Sequence, residues 1–186
     1  MMTELSLNVL DVANNSVRAN ASLIVIKITI DTYKDMMTIL IEDNGKGMTP
    51  EQLKQVEDPF FTTRTTRKVG LGVPFFKLVA EASGGSFSIT STPGKGTSVL
   101  ATFGYSNIDR MPLGDISSTI HTLITFNLNI DLVYTYRVNE REFILDTREF
   151  REIIGDIPFN SREISSYVKE YLEENKKEVD GDLTIY

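Results

Sequence analysis

Residues Glu42–Met48 read EDNGKGM, and what flanks them constrains the fold more than any other feature of the chain. Upstream, Met36–Glu42 is apolar and β-branched enough to be a strand. An Asn-Gly pair after such a strand ordinarily announces a hairpin. Downstream, however, Thr49-Pro50-Glu51-Gln52 is the start of a helix, with Thr49 as cap, Pro50 at the first position and Gln52 closing a capping box. The glycine segment therefore joins a strand to a helix. Gly45 and Gly47 let the backbone pass close to a flat ligand. Asp43, at the end of an apolar strand, is expected to be half-buried and in need of a donor. The exocyclic amine of adenine is such a donor; guanine has none at that ring position.

Three other segments share this character. Upstream, Thr3 can cap a helix over residues 4–19, with Glu4 in its first turn. Along it Asn8, Asp11, Asn15 and Arg18 fall at helical spacing and form one polar stripe. The stripe either faces water or faces a ligand. In the second case the amide oxygen of Asn15 suits Mg²⁺, and Asp11, one turn earlier, can orient or deprotonate an attacking water or hydroxyl. Leu23–Ile30 is a strand, joined to the next by a turn at Lys34-Asp35.

Further on comes TTRTTRKVGLGV at residues 62–73, where Arg64, Arg67 and Lys68 interleave with four threonines. This stretch is either a solvated loop or a phosphate contact. Gly70 and Gly72 stand at the entrance of a helix over Val73–Ser83, where free N–H groups and the helix dipole favour an anion. The frame is not that of a P-loop. Finally, Pro93-Gly94-Lys95-Gly96 turns between strands Ser86–Thr92 and Thr97–Phe103.

Beyond Tyr105 the punctuation reads helix (Pro112–Asn127), hairpin (Ile130–Val138 and Glu142–Asp146 around Asn139-Glu140) and helices Thr147–Ile154 and Ser161–Val179, the last amphipathic. The boundary gives a first unit over residues 1–105 and a C-terminal α/β extension over 106–186, packed on or beside it. No chemistry is readable in the extension. His121 sits in a mixed helix and reads as a surface or packing residue.

Bulk properties narrow the classes. The chain has 186 residues, 41% of them apolar, and a formal charge of −7 with a pI near 4.8. Such a balance opposes non-specific contact with nucleic acid or an anionic membrane. There is no cysteine and one histidine, which removes thiolate chemistry and a zinc cluster. No apolar run has the length of a membrane span, and the start lacks the basic and apolar regions of a secretory signal. The expectation is a cytoplasmic protein.

With these pieces in order, the chain resembles the GHKL ATPases, which take in gyrase-type topoisomerases, a heat-shock chaperone class, sensor histidine kinases and mismatch-repair ATPases. The resemblance covers Leu5 to Phe103 and implies the Bergerat fold, an α/β two-layer sandwich of helices and a mostly antiparallel mixed sheet. It also implies ATP or ADP with Mg²⁺ as ligands. Asp11 through Asn15 matches the family's N box, giving Asn15 the metal and Asp11 the acid–base place, with Arg18 beside them at the nucleotide. EDNGKGM matches the first glycine box, so Asp43 binds adenine and Gly45, Gly47 and Met48 frame it. Asp58 to Phe61 resembles the kinases' phenylalanine box. Thr62, Thr63, Arg67 and Lys68 fall in the ATP lid. Gly70, Leu71, Gly72 and Val73 form the second glycine box on the phosphates, and Gly96-Thr97 the last box beside adenine.

Two departures matter. Asp11 stands where most members have Glu, one methylene longer. And no helical hairpin with a phosphoacceptor histidine precedes the N box, as it does in complete sensor kinases. Three activities fit: a nucleotide-dependent switch or slow ATPase, a protein kinase similar to anti-sigma serine kinases or histidine kinases, and a non-catalytic nucleotide-binding module. The resemblance implies a protein partner or substrate. No heptad pattern requires a homodimer, though many relatives dimerise.

Overall fold

The computed structural model describes residues 3–56 and 72–185. Sequence expectations at Asp58 to Phe61, Thr62, Thr63, Arg64, Arg67, Lys68, Gly70 and Leu71 lie outside the described residues.

In chain order the elements are α1 (Leu5–Arg18), β1 (Leu23–Asp31), β2 (Met36–Asp43), α2 (Pro50–Val56), α3 (Gly72–Ala82), β3 (Phe87–Thr92), β4 (Gly96–Gly104), α4 (Ile116–Phe126), β5 (Asp131–Val138), β6 (Arg141–Asp146), α5 (Thr147–Ile154) and α6 (Arg162–Asp180). The strands form one sheet in the order β3-β4-β2-β1-β5-β6. All neighbours are antiparallel except β1 and β5, which run parallel from Leu23↔Asp131 to Ile30↔Val138. This is the mixed α/β sandwich that the sequence leads one to expect.

Strand alternation decides which face is covered. Ile24, Ile26, Ile28 and Ile30 of β1, Met37, Ile39 and Ile41 of β2, and Val99, Ala101 and Phe103 of β4 are all buried. Their neighbours Lys27, Met36 and Leu100 reach solvent on the other side. Helices α1, α3, α4 and α6 pack in one layer over the buried face, touching one another and the strands.

The start of α1 differs from the expectation. Glu4, not Thr3, is its N-cap, and it makes no side-chain cap. The free N–H groups of Leu5 and Ser6 donate instead to the carbonyls of Pro112 and Leu113, each at 2.9 Å. A backbone segment distant in sequence thus does what a cap side chain usually does. It also explains why α4 begins at Ile116 rather than at Pro112: residues 112–114 are spent on α1, and Asp115 caps α4 by accepting from Ser118 N. Gly114 adopts a left-handed conformation (φ 74°) there, with the Glu4 carboxylate against its Cα. Asn8 leaves the polar stripe. It is fully buried on the packed side of α1, and its Nδ2 donates to Glu4 O at 3.2 Å.

The C-terminal helix is fixed to the sheet by polar as well as apolar contacts. Val168, Leu172 and Val179 are buried. Tyr136 Oη, from β5, donates to Asp180 Oδ1 at 2.6 Å, and Arg141 Nη2 donates to Asp180 O at 3.0 Å. His121 Nε2 of α4 lies 2.9 Å from Ser165 Oγ of α6, a packing contact between helices.

Candidate functional site

The glycine segment after β2 is folded by its neighbours. Asn44 Oδ1 accepts from the N–H groups of Ser22 and Leu23, and Lys46 N donates to Ala19 O. These bonds tie the loop to the end of α1, where no return strand competes. The helix that follows starts as its sequence demands: Thr49 N donates to Gln52 Oε1, and Gln52 N donates to Thr49 Oγ1. On its other side the loop packs against the β3–β4 turn. Gly94 N donates to Lys46 O at 2.7 Å. Gly47 has φ 65°, and a Cβ there would come within 2.0 Å of Thr92 O. A Cβ at Gly96 would come within 1.8 Å of Asp43 O. Two glycine turns are therefore pressed backbone to backbone, as only residues without side chains allow.

Between α1, this loop, α2, the start of α3 and the β3–β4 strands lies a cleft of about 250 Å³. Val12, Ile41, Ile89 and Val99 give it apolar walls. Asn15, Arg18, Asp43, Gly47, Met48, Gly72, Val73 and Thr97, all named from the sequence, line it as well. A concave, mostly apolar space with a few convergent polar groups is how ligand sites are commonly built.

Asp43 is its best-held polar group. Half-buried at the end of β2, it accepts from Ser16 Oγ at 2.6 Å through Oδ2 and from Gly45 N at 2.8 Å through Oδ1. Gly45 supports this from behind the wall, since a Cβ on it would press on Ala19 and on Asp43 itself. Thr97 sits opposite Asp43 in the β2–β4 register, its hydroxyl 2.9 Å from Ser91 Oγ. One turn apart on α1, Asn15 Oδ1 accepts from Arg18 Nη1 at 2.9 Å. Asp11 stands a turn further back, with Oδ2 within 2.0 Å of where a Cβ on Gly72 would lie. Its carboxylate thus abuts the first residue of α3. Val56, the end of α2, and Gly72, the start of α3, both line the cleft.

Ser16 was not named from the sequence. It is buried in the same helical phase as Leu5, Val9, Val12 and Ala13. A hydroxyl in an otherwise apolar phase was the available signal, because buried polar groups require partners. Lys46, Gln52 and Pro74 also line the cleft; nothing in their spacing marked them. Among the described residues, no three His, Cys, Asp or Glu side chains gather as a metal site. No described helix is long and apolar enough to cross a membrane.

Comparison with known proteins gives the family of the chain. The profile of the family described as histidine kinase-, DNA gyrase B-, and HSP90-like ATPase matches residues 2–107. The chain belongs to this family, and its first half is an ATP-binding module of the GHKL type. It is 36% identical over 86 residues to the sensor protein DegM of Bacillus sp. (strain B21-2), a match covering 46% of this chain and 23% of that protein. It is 38% identical over 80 residues to the sensor protein SrrB of Staphylococcus aureus (strain NCTC 8325 / PS 47), covering 40% of this chain and 14% of that one. The chain therefore matches less than a quarter of the length of these relatives. A solved structure described as the N-terminal domain of a DNA repair protein superposes with a TM-score of 0.55 at 17% identity, covering 97% of this chain and 58% of that one. That likeness shows the fold alone, and it extends through the C-terminal strands and helices.

Proposed function

We propose that the chain binds ATP with Mg²⁺ in this cleft and works as a nucleotide-dependent switch or slow ATPase. The observation that carries the reading is the Asp43 carboxylate, held by two donors and open on its cleft side, beside an apolar slot between Ile41, Val99 and Ile89. Asp43 accepts from the exocyclic amine of adenine, Ser16 and Gly45 N fix its orientation, and Gly47, Met48 and Thr97 frame the base. Gly72 and Val73 present the open end of α3 to the phosphates.

The metal fits the residues present. Mg²⁺ is commonly held by one or two protein oxygens together with phosphates and water, and Asn15 offers one neutral hard oxygen in the wall. When bound, the ion neutralises charge on the phosphates. In this reading Asp11 takes the proton of the attacking nucleophile, directly or through a water; the contact of its carboxylate with Gly72, which lines the cleft, supports that role. A module whose bound and empty forms differ in their affinity for a partner acts as a switch, and the sensor proteins among the relatives support that reading.

A protein kinase is the second reading, supported by the sensor proteins among the relatives. The experiment is incubation of the chain with ATP labelled at the γ-phosphate, alone and with candidate protein substrates. Label in free phosphate is expected. Label on protein would favour the kinase, and binding without turnover would leave a nucleotide-holding module.

A further inference from the structure

We propose that Arg18 and the divalent cation compete for one oxygen, Oδ1 of Asn15, so that Arg18 sets how strongly nucleotide binding depends on Mg²⁺. The inference rests on the reading of the cleft as a Mg²⁺–ATP site.

Arg18 is the last residue of α1, three positions after Asn15 and on the same helix face. Its Nη1 donates to Asn15 Oδ1 at 2.9 Å, and both residues line the cleft. The last turn of a helix favours a cation, and Arg18 is the basic residue there. The side chain is otherwise exposed, so a long flexible stem can move its guanidinium without moving the helix.

An amide oxygen has two lone pairs and can in principle serve two partners. Here both partners would be cationic. A magnesium ion ligated at about 2.1 Å and a guanidinium nitrogen at 2.9 Å from the same atom would lie within roughly 5 Å of each other, where like charges repel. One of them must leave Asn15. With metal absent, Arg18 occupies the oxygen and adds positive charge to the cleft that receives the phosphates. With metal present, the guanidinium swings off. Arg18 therefore strengthens metal-free nucleotide binding and weakens the gain that metal brings.

The test is calorimetric titration of the full chain with ADP and ATP, in EDTA and in excess Mg²⁺, for the parent, Arg18→Met, Asn15→Ala and the double variant. Thermal melts check folding, which Arg18→Met should leave unchanged because the side chain is exposed. Arg18→Met should bind metal-free nucleotide more weakly. The ratio of affinities with and without Mg²⁺ should rise about threefold or more, the scale of one exposed charged contact. In the Asn15→Ala background, affinity in excess Mg²⁺ should no longer gain from Arg18→Met, leaving only the direct effect of the lost Arg18 charge. An unchanged ratio in Arg18→Met overturns the competition while leaving the nucleotide site intact. Absence of binding by the parent under either condition overturns the site reading itself.

Discussion

Ser16 Oγ donates to Asp43 Oδ2 at 2.6 Å, joining the last turn of α1 to the end of β2. With Gly45 N on the other oxygen, the carboxylate has a fixed plane before any ligand arrives. Ser16 is a positioning residue in this view, acting on the base through Asp43. Ser16→Ala removes one of two donors from a partly desolvated acid, a loss of about 1–2 kcal/mol. The expected outcome is a roughly tenfold weaker affinity for ADP, measured by calorimetry, with discrimination between adenine and guanine nucleotides reduced. An affinity within twofold of the parent would remove Ser16 from the site.

Gly72 is expected to be intolerant for a reason unrelated to backbone strain. It starts α3, where alanine is a better helix former, yet an added methyl would occupy the place of Asp11 Oδ2. Gly72→Ala should fold, with stability within about 1 kcal/mol of the parent, and push the Asp11 carboxylate aside. Phosphate release should fall at least about tenfold, in keeping with the contribution of a misplaced general base, while ADP affinity changes little. Asp11→Asn should show the same split. Turnover at the parental rate in both variants would place the base elsewhere.

Most of the fold is legible in the sequence, and the exceptions lie where contacts distant in sequence decide the outcome or where a polar residue shares a core phase. The capping box at Thr49 and Gln52, the β1–β2 turn and the two glycine turns are local in sequence, and each holds. The misjudged start of α1 is not local. Its cap comes from the carbonyls of Pro112 and Leu113, more than a hundred residues away. The polar stripe failed at Asn8 because helical periodicity places residues on a face without saying which neighbour that face meets. Ser16 was overlooked for the opposite reason, since its phase marked it as core. At the cleft, Asn15, Arg18, Asp43 and Thr97 come together while Asp11 and Gly45 stand behind its wall, and Val12, Ile89 and Pro74 contribute only shape, which spacing does not encode.

We expect residues 1–105 to be unable to fold as an independent unit. Strand β1 is central in the sheet and pairs along its length with β5. Removing residues 106–186 would make it an edge strand, strip α4 from α1, and leave the N–H groups of Leu5 and Ser6 without partners. Circular dichroism and denaturant titration of the fragment should show no cooperative transition, while the full chain shows one. A fragment that unfolds cooperatively and binds ADP like the full chain would make the extension an appendage.

The tie between Tyr136 and Asp180 predicts how stability responds to alkali. Burial, and then the hydrogen bond to Asp180, hold the Tyr136 phenol well above its usual range; burial does the same to Tyr134. Both side chains are buried in β5. The folded state therefore keeps these protons as pH passes 10, while the unfolded chain loses them at the ordinary tyrosine pKa. Stability falls wherever the unfolded state binds fewer protons than the folded one. The contribution of each phenol is thus complete below about pH 10 and declines above it, by roughly 0.8 kcal/mol for each at pH 10.5. Tyr136→Phe should lower the denaturant midpoint at pH 7, because a hydrogen bond to a charged acceptor worth about 1.5–3 kcal/mol is lost. Between pH 9 and 10.5 the same variant should lose less stability than the parent, since one of the two linked protons is gone. Parallel losses across that interval would show that the Tyr136 phenol titrates in the folded protein as it does in the unfolded chain.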